Sequence, residues 1–163
     1  MLRGMLETAR LAGFFAAHGL WSVADGGPLT PLLGFDKPDG GRGMTRYAAP
    51  ELEIGVKAGQ DALAANPDGA VRAALVYDAF LHLPSGRIDA LVIEAVEYGP
   101  QERILRMGVP YRPEPFAVYR PKFLEVTGVD RPDWAVLGGA FFEGVDSHEQ
   151  AAAIWNAHLG ESL

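Results

Sequence analysis

The stretch from Val71 to Val126 constrains the fold most, because apolar and polar residues alternate along it between turn-forming segments. Alternation with a period of two is typical of β-strands that bury one face. Val71 to Leu83 and Ile88 to Tyr98 flank a short segment, Pro84 to Arg87, that is rich in turn-forming residues. We therefore predict an antiparallel meander that begins with this hairpin.

The meander continues with a third strand, at about Arg103 to Val109, and a fourth, at about Phe116 to Val126. The fourth strand contains Pro121, which has no N–H to donate to a ladder, so this strand is expected to bend, to bulge or to lie at an edge. A fifth strand is predicted from Trp134 to Phe142, although two glycines in it weaken the pattern.

A turn centred on Ser85 and Gly86 predicts a register in which Tyr77 lies directly opposite Glu94. One face of the hairpin is then almost entirely apolar, and Glu94 is its single ionisable carboxylate. The residues of this face are Ala73, Leu75, Tyr77, Ala79, Leu81, Leu83, Ile88, Ala90, Val92, Glu94, Val96 and Tyr98. We expect this face to be the core. The other face is mixed and is expected to be partly covered or to form a contact surface.

Two helices are predicted before the meander and one after it. The first, about Leu2 to His18, has apolar residues at the spacing of one helical face, and Gly19 is its expected stop. The second, Pro50 to Asn66, has proline in its first turn, and its glycine pair indicates close approach to a neighbouring element. The third begins at a capping box formed by Ser147 and Gln150.

The segment between the first two helices is rich in glycine and proline. Our preferred interpretation is a hairpin made from Leu20 to Ala24 and Thr30 to Phe35. The Gly-rich run from Lys37 to Gly43 lacks the spacing of a phosphate-binding loop, and we interpret it as another hairpin tip.

Together these elements predict a single α+β domain over residues 1–163. We expect an antiparallel sheet of four to six strands, built on the meander 71–126, with two N-terminal helices and one C-terminal helix packed mainly on one face. A chain of 163 residues with 48% apolar and 21% charged residues has the composition of a soluble globular protein.

Composition also narrows the classes of function. The chain contains no cysteine, which excludes disulfides, thiolate metal sites and a cysteine nucleophile, and a cytoplasmic location is expected. No segment has the ~20 consecutive apolar residues of a membrane span, so no membrane partner is expected. The formal net charge of −7 lacks the electrostatic footprint of a nucleic-acid binder.

Glu94 is the most informative candidate site residue. An ionised carboxylate on an apolar sheet face is costly unless it is hydrogen-bonded or paired. It could therefore serve as a general acid or base, or as a polar group at the floor of a pocket, with Tyr77 beside it. The alternative is a purely structural carboxylate that the Tyr77 hydroxyl, a helix amide or an arginine satisfies.

A basic segment is the exception to the acidic balance. The segment from residue 103 to residue 122 contains five cationic residues and one acidic residue, and aromatic residues lie among them. Arginines beside aromatics can bind single-stranded nucleic acid, phosphorylated ligands or an acidic protein surface. Alternatively, these arginines pair with the chain's own carboxylates. The candidate binding residues of this segment are Arg103, Arg106, Arg112 and Arg120.

Other constellations are weaker. Asp146, His148 and Glu149 resemble part of a metal cluster but have no recognised ligand spacing, and they also suit a helix N-terminus. His82 and Asp89 are expected to be neighbours near the hairpin turn that share a surface hydrogen bond. We therefore expect no metal site and no cofactor.

No catalytic set is complete, so the leading hypothesis is a non-enzymatic protein-interaction domain that forms a homodimer or binds another protein. One alternative is a small-molecule-binding or hydrolytic domain, with a pocket between sheet and helices that uses Glu94, Tyr77 and an arginine. A third interpretation is an anion or nucleic-acid binder that works through the basic segment, although nucleic acid is disfavoured by the net charge.

Overall fold

The computed structural model describes residues 2–160 of the chain. Four helices lie in that range: α1 (Leu2–Val23), α2 (Leu52–Ala65), α3 (Trp134–Ser147) and α4 (Glu149–Ala157). The strands are β1 (Leu32–Asp36), β2 (Arg42–Arg46), β3 (Arg72–Leu83), β4 (Gly86–Glu97), β5 (Arg103–Arg112), β6 (Ala117–Val118) and β7 (Lys122–Thr127). The predicted α+β class with an antiparallel sheet is therefore confirmed.

The seven strands of this range form one antiparallel sheet in the order β2-β1-β3-β4-β5-β6, and β7 pairs with β5 as well. The predicted fourth strand is divided into β6 and β7 on either side of the Arg120–Pro121 step. A shift of register between Arg106 and Met107 accompanies the pairing of β7 with β5. The sheet thus has one strand more than the upper limit of our expectation.

The β3–β4 hairpin is the centre of the sheet, and its register differs from the predicted one by two residues. Tyr77 pairs with Val92, and Glu94 pairs with Leu75, because the turn consists of Pro84 and Ser85 alone. A shift of two residues leaves every side chain on its predicted face, since side chains alternate with a period of two. Tyr77 and Glu94 are therefore diagonal neighbours on one face.

The larger core lies on the face that we expected to be mixed. Val76, Ile93 and Met107 are fully or almost fully buried there under α1, α3 and α4. The face that we expected to be the core carries a smaller cluster that includes Leu75, and α2 covers it. Both faces are buried because the helices are divided between them, three on one side and one on the other.

Helix α2 agrees closely with its predicted range. A Cβ at Gly59 would overlap the Leu75 side chain, and one at Gly55 would overlap the backbone oxygen of Tyr47. The close approach that the glycine pair indicated is thus confirmed, and it lets the helix backbone lie directly on the sheet.

The predicted arrangement of helices was partly wrong. Helix α2 lies in the middle of the chain, and the segment predicted as a fifth strand is α3. Asp133 caps this helix by accepting a hydrogen bond from the Val136 N–H at 3.1 Å. Its Leu137, Ala140, Phe141 and Val145 recur at helical spacing and are buried. Burial of that stripe outweighs the weak helix propensity of the glycines between them.

Two local predictions also need correction. Leu20 to Ala24 do not form a strand, because α1 continues to Val23, and β1 pairs instead with β2 around the Lys37–Gly43 tip. At the C-terminal helix the cap is His148, whose Nδ1 accepts from the Ala151 N–H, while Ser147 ends α3.

Helices α1 and α3 cross at a pair of glycines, Gly13 and Gly144. A Cβ at Gly13 would overlap the carbonyl oxygen of Phe141, and a Cβ at Gly144 would overlap that of Arg10. Each helix therefore needs a residue without a side chain at the crossing point.

We predict that Gly13→Ala lowers the free energy of unfolding by about 1–3 kcal/mol, as overpacking of a core typically does. Chemical denaturation measures the change. The control is Gly138→Ala in α3, where a new Cβ meets nothing within 4 Å. That substitution is expected to raise stability by up to about 1 kcal/mol, because alanine is the better helix former. Equal effects of the two substitutions would contradict the crossing-point argument.

Candidate functional site

The predicted residues Tyr77, Glu94 and Arg106 meet on the face that α2 covers. Oε2 of Glu94 accepts a hydrogen bond from the Tyr77 hydroxyl and another, of 3.1 Å, from Nε2 of Gln60 on α2. Nε of Arg106 lies 3.8 Å from the same oxygen, which makes a long ion pair. Three donors thus surround this carboxylate, which is what we expected if Glu94 has a purely structural role.

A cleft of about 280 Å³ opens beside this cluster, and apolar residues of α2 and the sheet line it together with the polar residues Gln60, Glu94, Glu102, Arg106 and Glu125. Its volume lies close to the lower limit of about 300 Å³ for small-molecule sites. Burial first, and then the hydrogen bond to Glu94, raise the pKa of Tyr77 to about 12. The phenol is therefore a hydrogen-bond donor at neutral pH.

The four arginines of the basic segment do not share one surface. Arg103 pairs with Glu97 in a largely buried contact on the α1 side of the sheet, whereas Arg106 is on the α2 side. Nε of Arg112 donates to the Pro115 carbonyl at 2.9 Å, and Arg120 lies in an exposed position beyond β6. Alternation along β5 separates them, so the predicted anion-binding patch is not assembled as a unit.

A histidine pair that the sequence analysis missed lies between α1 and α4. Nδ1 of His18 is 3.0 Å from Nε2 of His148, and the Nδ1 of His148 accepts from the Ala151 N–H at 3.3 Å. A neutral His148 therefore carries its proton on Nε2 and donates it to His18. His18 then has its own proton on Nε2, which lies 3.4 Å from the Arg46 guanidinium.

This arrangement disfavours a charged His18, because a second ring proton would face the proton that His148 donates. The pKa of His18 is lowered by burial first, and then by His148 and Arg46. The pair does not complete a metal site: no group of three or more histidines, aspartates and glutamates within residues 2–160 is placed to hold a metal ion.

The outer edge of β3 is a further feature that the sequence pattern did not indicate. Strand β1 covers only the Arg72–Val76 part of β3, so residues 77–83 have a partner on the β4 side alone within the described range. A cavity of about 430 Å³ lies between this edge and the first turns of α2, with Leu52, Val56 and Phe80 in its lining. Phe80 is 51% exposed there.

A groove lies between α3 and the β5–β7 region. This groove has a volume of about 570 Å³, and the aromatic residues Phe123, Trp134 and Phe142 line it above the buried Phe141. We call it the Trp134 groove. The sequence contained a signal for it, since Trp134, Gly138 and Phe142 are four residues apart, but that spacing defines one face only in a helix.

Comparison of the chain with protein-family models, with curated proteins and with solved structures found no match. None of the helices within residues 2–160 is long and apolar enough to cross a membrane. The function must therefore be argued from the geometry of the chain itself.

We predict that Tyr77→Phe lowers the free energy of unfolding by about 1–3 kcal/mol, because the partly buried Glu94 carboxylate loses a donor. In a double-mutant cycle with Glu94→Gln, the two effects should be less than additive, since both remove the same hydrogen bond. Denaturant unfolding of the four proteins measures the coupling. Tyr119→Phe is the control, because the Tyr119 hydroxyl makes no hydrogen bond with residues 2–160. Additive effects would contradict the described contact.

A second prediction concerns pH. Because the folded state lowers the pKa of His18, its contribution to stability is complete above about pH 6.5, the unperturbed value, and is lost as the pH falls below that value. The free energy of unfolding should therefore fall less steeply on acidification in His18→Gln than in the wild type. The difference in slope corresponds to up to about one bound proton. Unfolding curves from pH 7.5 down to pH 5 measure the slope. A slope that is the same in His18→Gln and in the wild type would contradict this argument.

Proposed function

We propose that this protein is a non-enzymatic protein-interaction domain that forms a homodimer through the open edge of β3. The observation that carries the proposal is the edge at residues 77–83, which continues the central hairpin beyond its β1 partner and has no strand beside it within residues 2–160. Unpaired N–H and C=O groups of a strand edge are a template for another strand. Native chains usually protect such an edge, whereas here seven residues of it have no partner strand in the part of the chain that the structure describes.

Apolar side chains around the edge support a contact with another chain. Phe80 is 51% exposed, and on the first turns of α2 Leu52 and Ile54 are 44% and 54% exposed. Leu52 and Phe80 line the same cavity beside the edge. Burial of apolar surface provides about 25 cal/mol per Å², so the covering of these side chains would favour association.

The side chains along the edge are self-complementary. In an antiparallel pairing of two copies with Phe80 opposite Phe80, Asp78 of each copy lies opposite His82 of the other. Facing rings and an acid opposite a histidine are both favourable cross-strand pairs. Asp78 also accepts a 2.8 Å hydrogen bond from the Tyr111 hydroxyl, which holds its carboxylate in place.

A second candidate function is the binding of a small polar molecule beside Glu94. It is favoured by the 280 Å³ cleft, whose lining combines Gln60, Glu94 and Arg106. The anion-binding interpretation has less support, since the arginines of the basic segment lie on different faces of the sheet.

We expect light scattering or sedimentation to find a dimer. Phe80→Asp should weaken the association of the two copies by at least about tenfold, because two negative charges would meet at the dimer axis. His82→Asp should act in the same direction by placing carboxylates opposite each other, whereas His82→Lys should preserve the dimer.

The control is Leu124→Asp on β7, a second edge strand with a 39% exposed leucine. It should leave the dimer unchanged. A wild-type chain that stays monomeric at all concentrations would overturn the proposed self-association. A dimer that only Leu124→Asp disrupts would overturn the assignment of its interface to β3.

A further inference from the structure

The Trp134 groove contains a gap in its lining that the packing of the described residues does not require. Trp134 and Phe142 stand on the same face of α3 with Gly138 between them, so the groove contains a gap bounded by two aromatic rings. The ring of Phe123 on β7 packs against that of Trp134, with the ring centroids 5.0 Å apart, and also lines the groove. Met107 and Phe141, both buried, form the floor.

The glycines of α3 fall into two classes. Gly144 is required by the crossing of α1, as its Cβ would overlap a backbone carbonyl. A Cβ at Gly138 or Gly139 would meet nothing within 4 Å, and both residues line the groove. Each glycine costs roughly 1 kcal/mol of helix stability relative to alanine. Their effect within the fold is to keep the groove open, where larger side chains would fill it.

The charge of the groove is opposite to that of the chain. The net charge of the protein is −7, yet among residues 2–160 the lining of the groove contains Arg120 as its ionisable residue and no carboxylate. Arg120 is exposed, and it makes no hydrogen bond or ion pair with residues 2–160. An unpaired guanidinium at the rim of an aromatic groove is suited to an anionic group on an apolar molecule.

We propose that the Trp134 groove binds an apolar molecule with a single carboxylate, of the chemical class of the fatty acids. The apolar part lies across Gly138 between the rings of Trp134 and Phe142, and the carboxylate pairs with Arg120. The groove volume of about 570 Å³ lies within the range of roughly 300–1,000 Å³ for small-molecule sites, and aromatic walls with one charged group are typical of such sites.

The test is isothermal titration calorimetry with sodium decanoate and with decyltrimethylammonium, which has the same chain length and the opposite charge. Wild type should bind one decanoate per chain, at least about tenfold more tightly than the cation, because a charge-assisted hydrogen bond contributes to one complex alone. Arg120→Gln should abolish this preference. Arg3→Gln, which removes an exposed arginine on α1, should preserve it.

Gly138→Leu places a side chain in the groove and should weaken the binding of both amphiphiles by at least about tenfold, while the helix remains folded because leucine is a better helix former than glycine. Ala58→Leu, at an exposed position of α2, is the matched control and should bind as wild type does.

The proposal fails if decanoate does not bind, if the two amphiphiles bind equally, or if Gly138→Leu and Ala58→Leu titrate alike. Phe80→Asp should bind decanoate normally, since the groove lies on other strands.

Discussion

The β3–β4 ladder is the interaction on which the rest of the structure depends. Its twelve residue pairs follow from one tight turn at Pro84 and Ser85, and the alternation of side chains then assigns each residue to a face. The same ladder is longer than its β1 neighbour, which leaves the edge at residues 77–83 without a strand partner in the described range. Core, polar cluster and open edge are thus consequences of a single pairing.

Burial of both faces of this ladder requires helices on both sides, and glycines make the close contacts possible. Gly59 allows α2 to rest on Leu75, and the Gly13–Gly144 crossing brings α3 against α1. Helix α3 in turn forms one wall of the Trp134 groove. Gly144, at the crossing with α1, and Gly138, in the lining of the Trp134 groove, therefore lie on the same helix, less than two turns apart.

The candidate site was only partly accessible from sequence. Tyr77 and Glu94 were expected on one face, and they meet there even though the register differs, because a shift of two residues conserves the face. Gln60 could not be foreseen, since it reaches Glu94 from a helix distant in sequence. The same holds for His18 and His148, which are brought together by the packing of α1 against α4. The four arginines all lie within residues 103–120, but alternation along β5 and the turns after it place them on different surfaces.

The sequence alone determined the α+β class, the central hairpin, the position of α2 and the faces of β3 and β4, because these depend on local periodicity and turn chemistry. The strand predicted from Trp134 to Phe142 was wrong, because a short apolar run with glycines fits a strand or a helix and the local pattern does not decide between them. The tertiary structure decided that question, together with which face holds the larger core and which edge and groove stay open. Those outcomes depend on contacts between segments far apart in the chain, and local patterns contain no record of them.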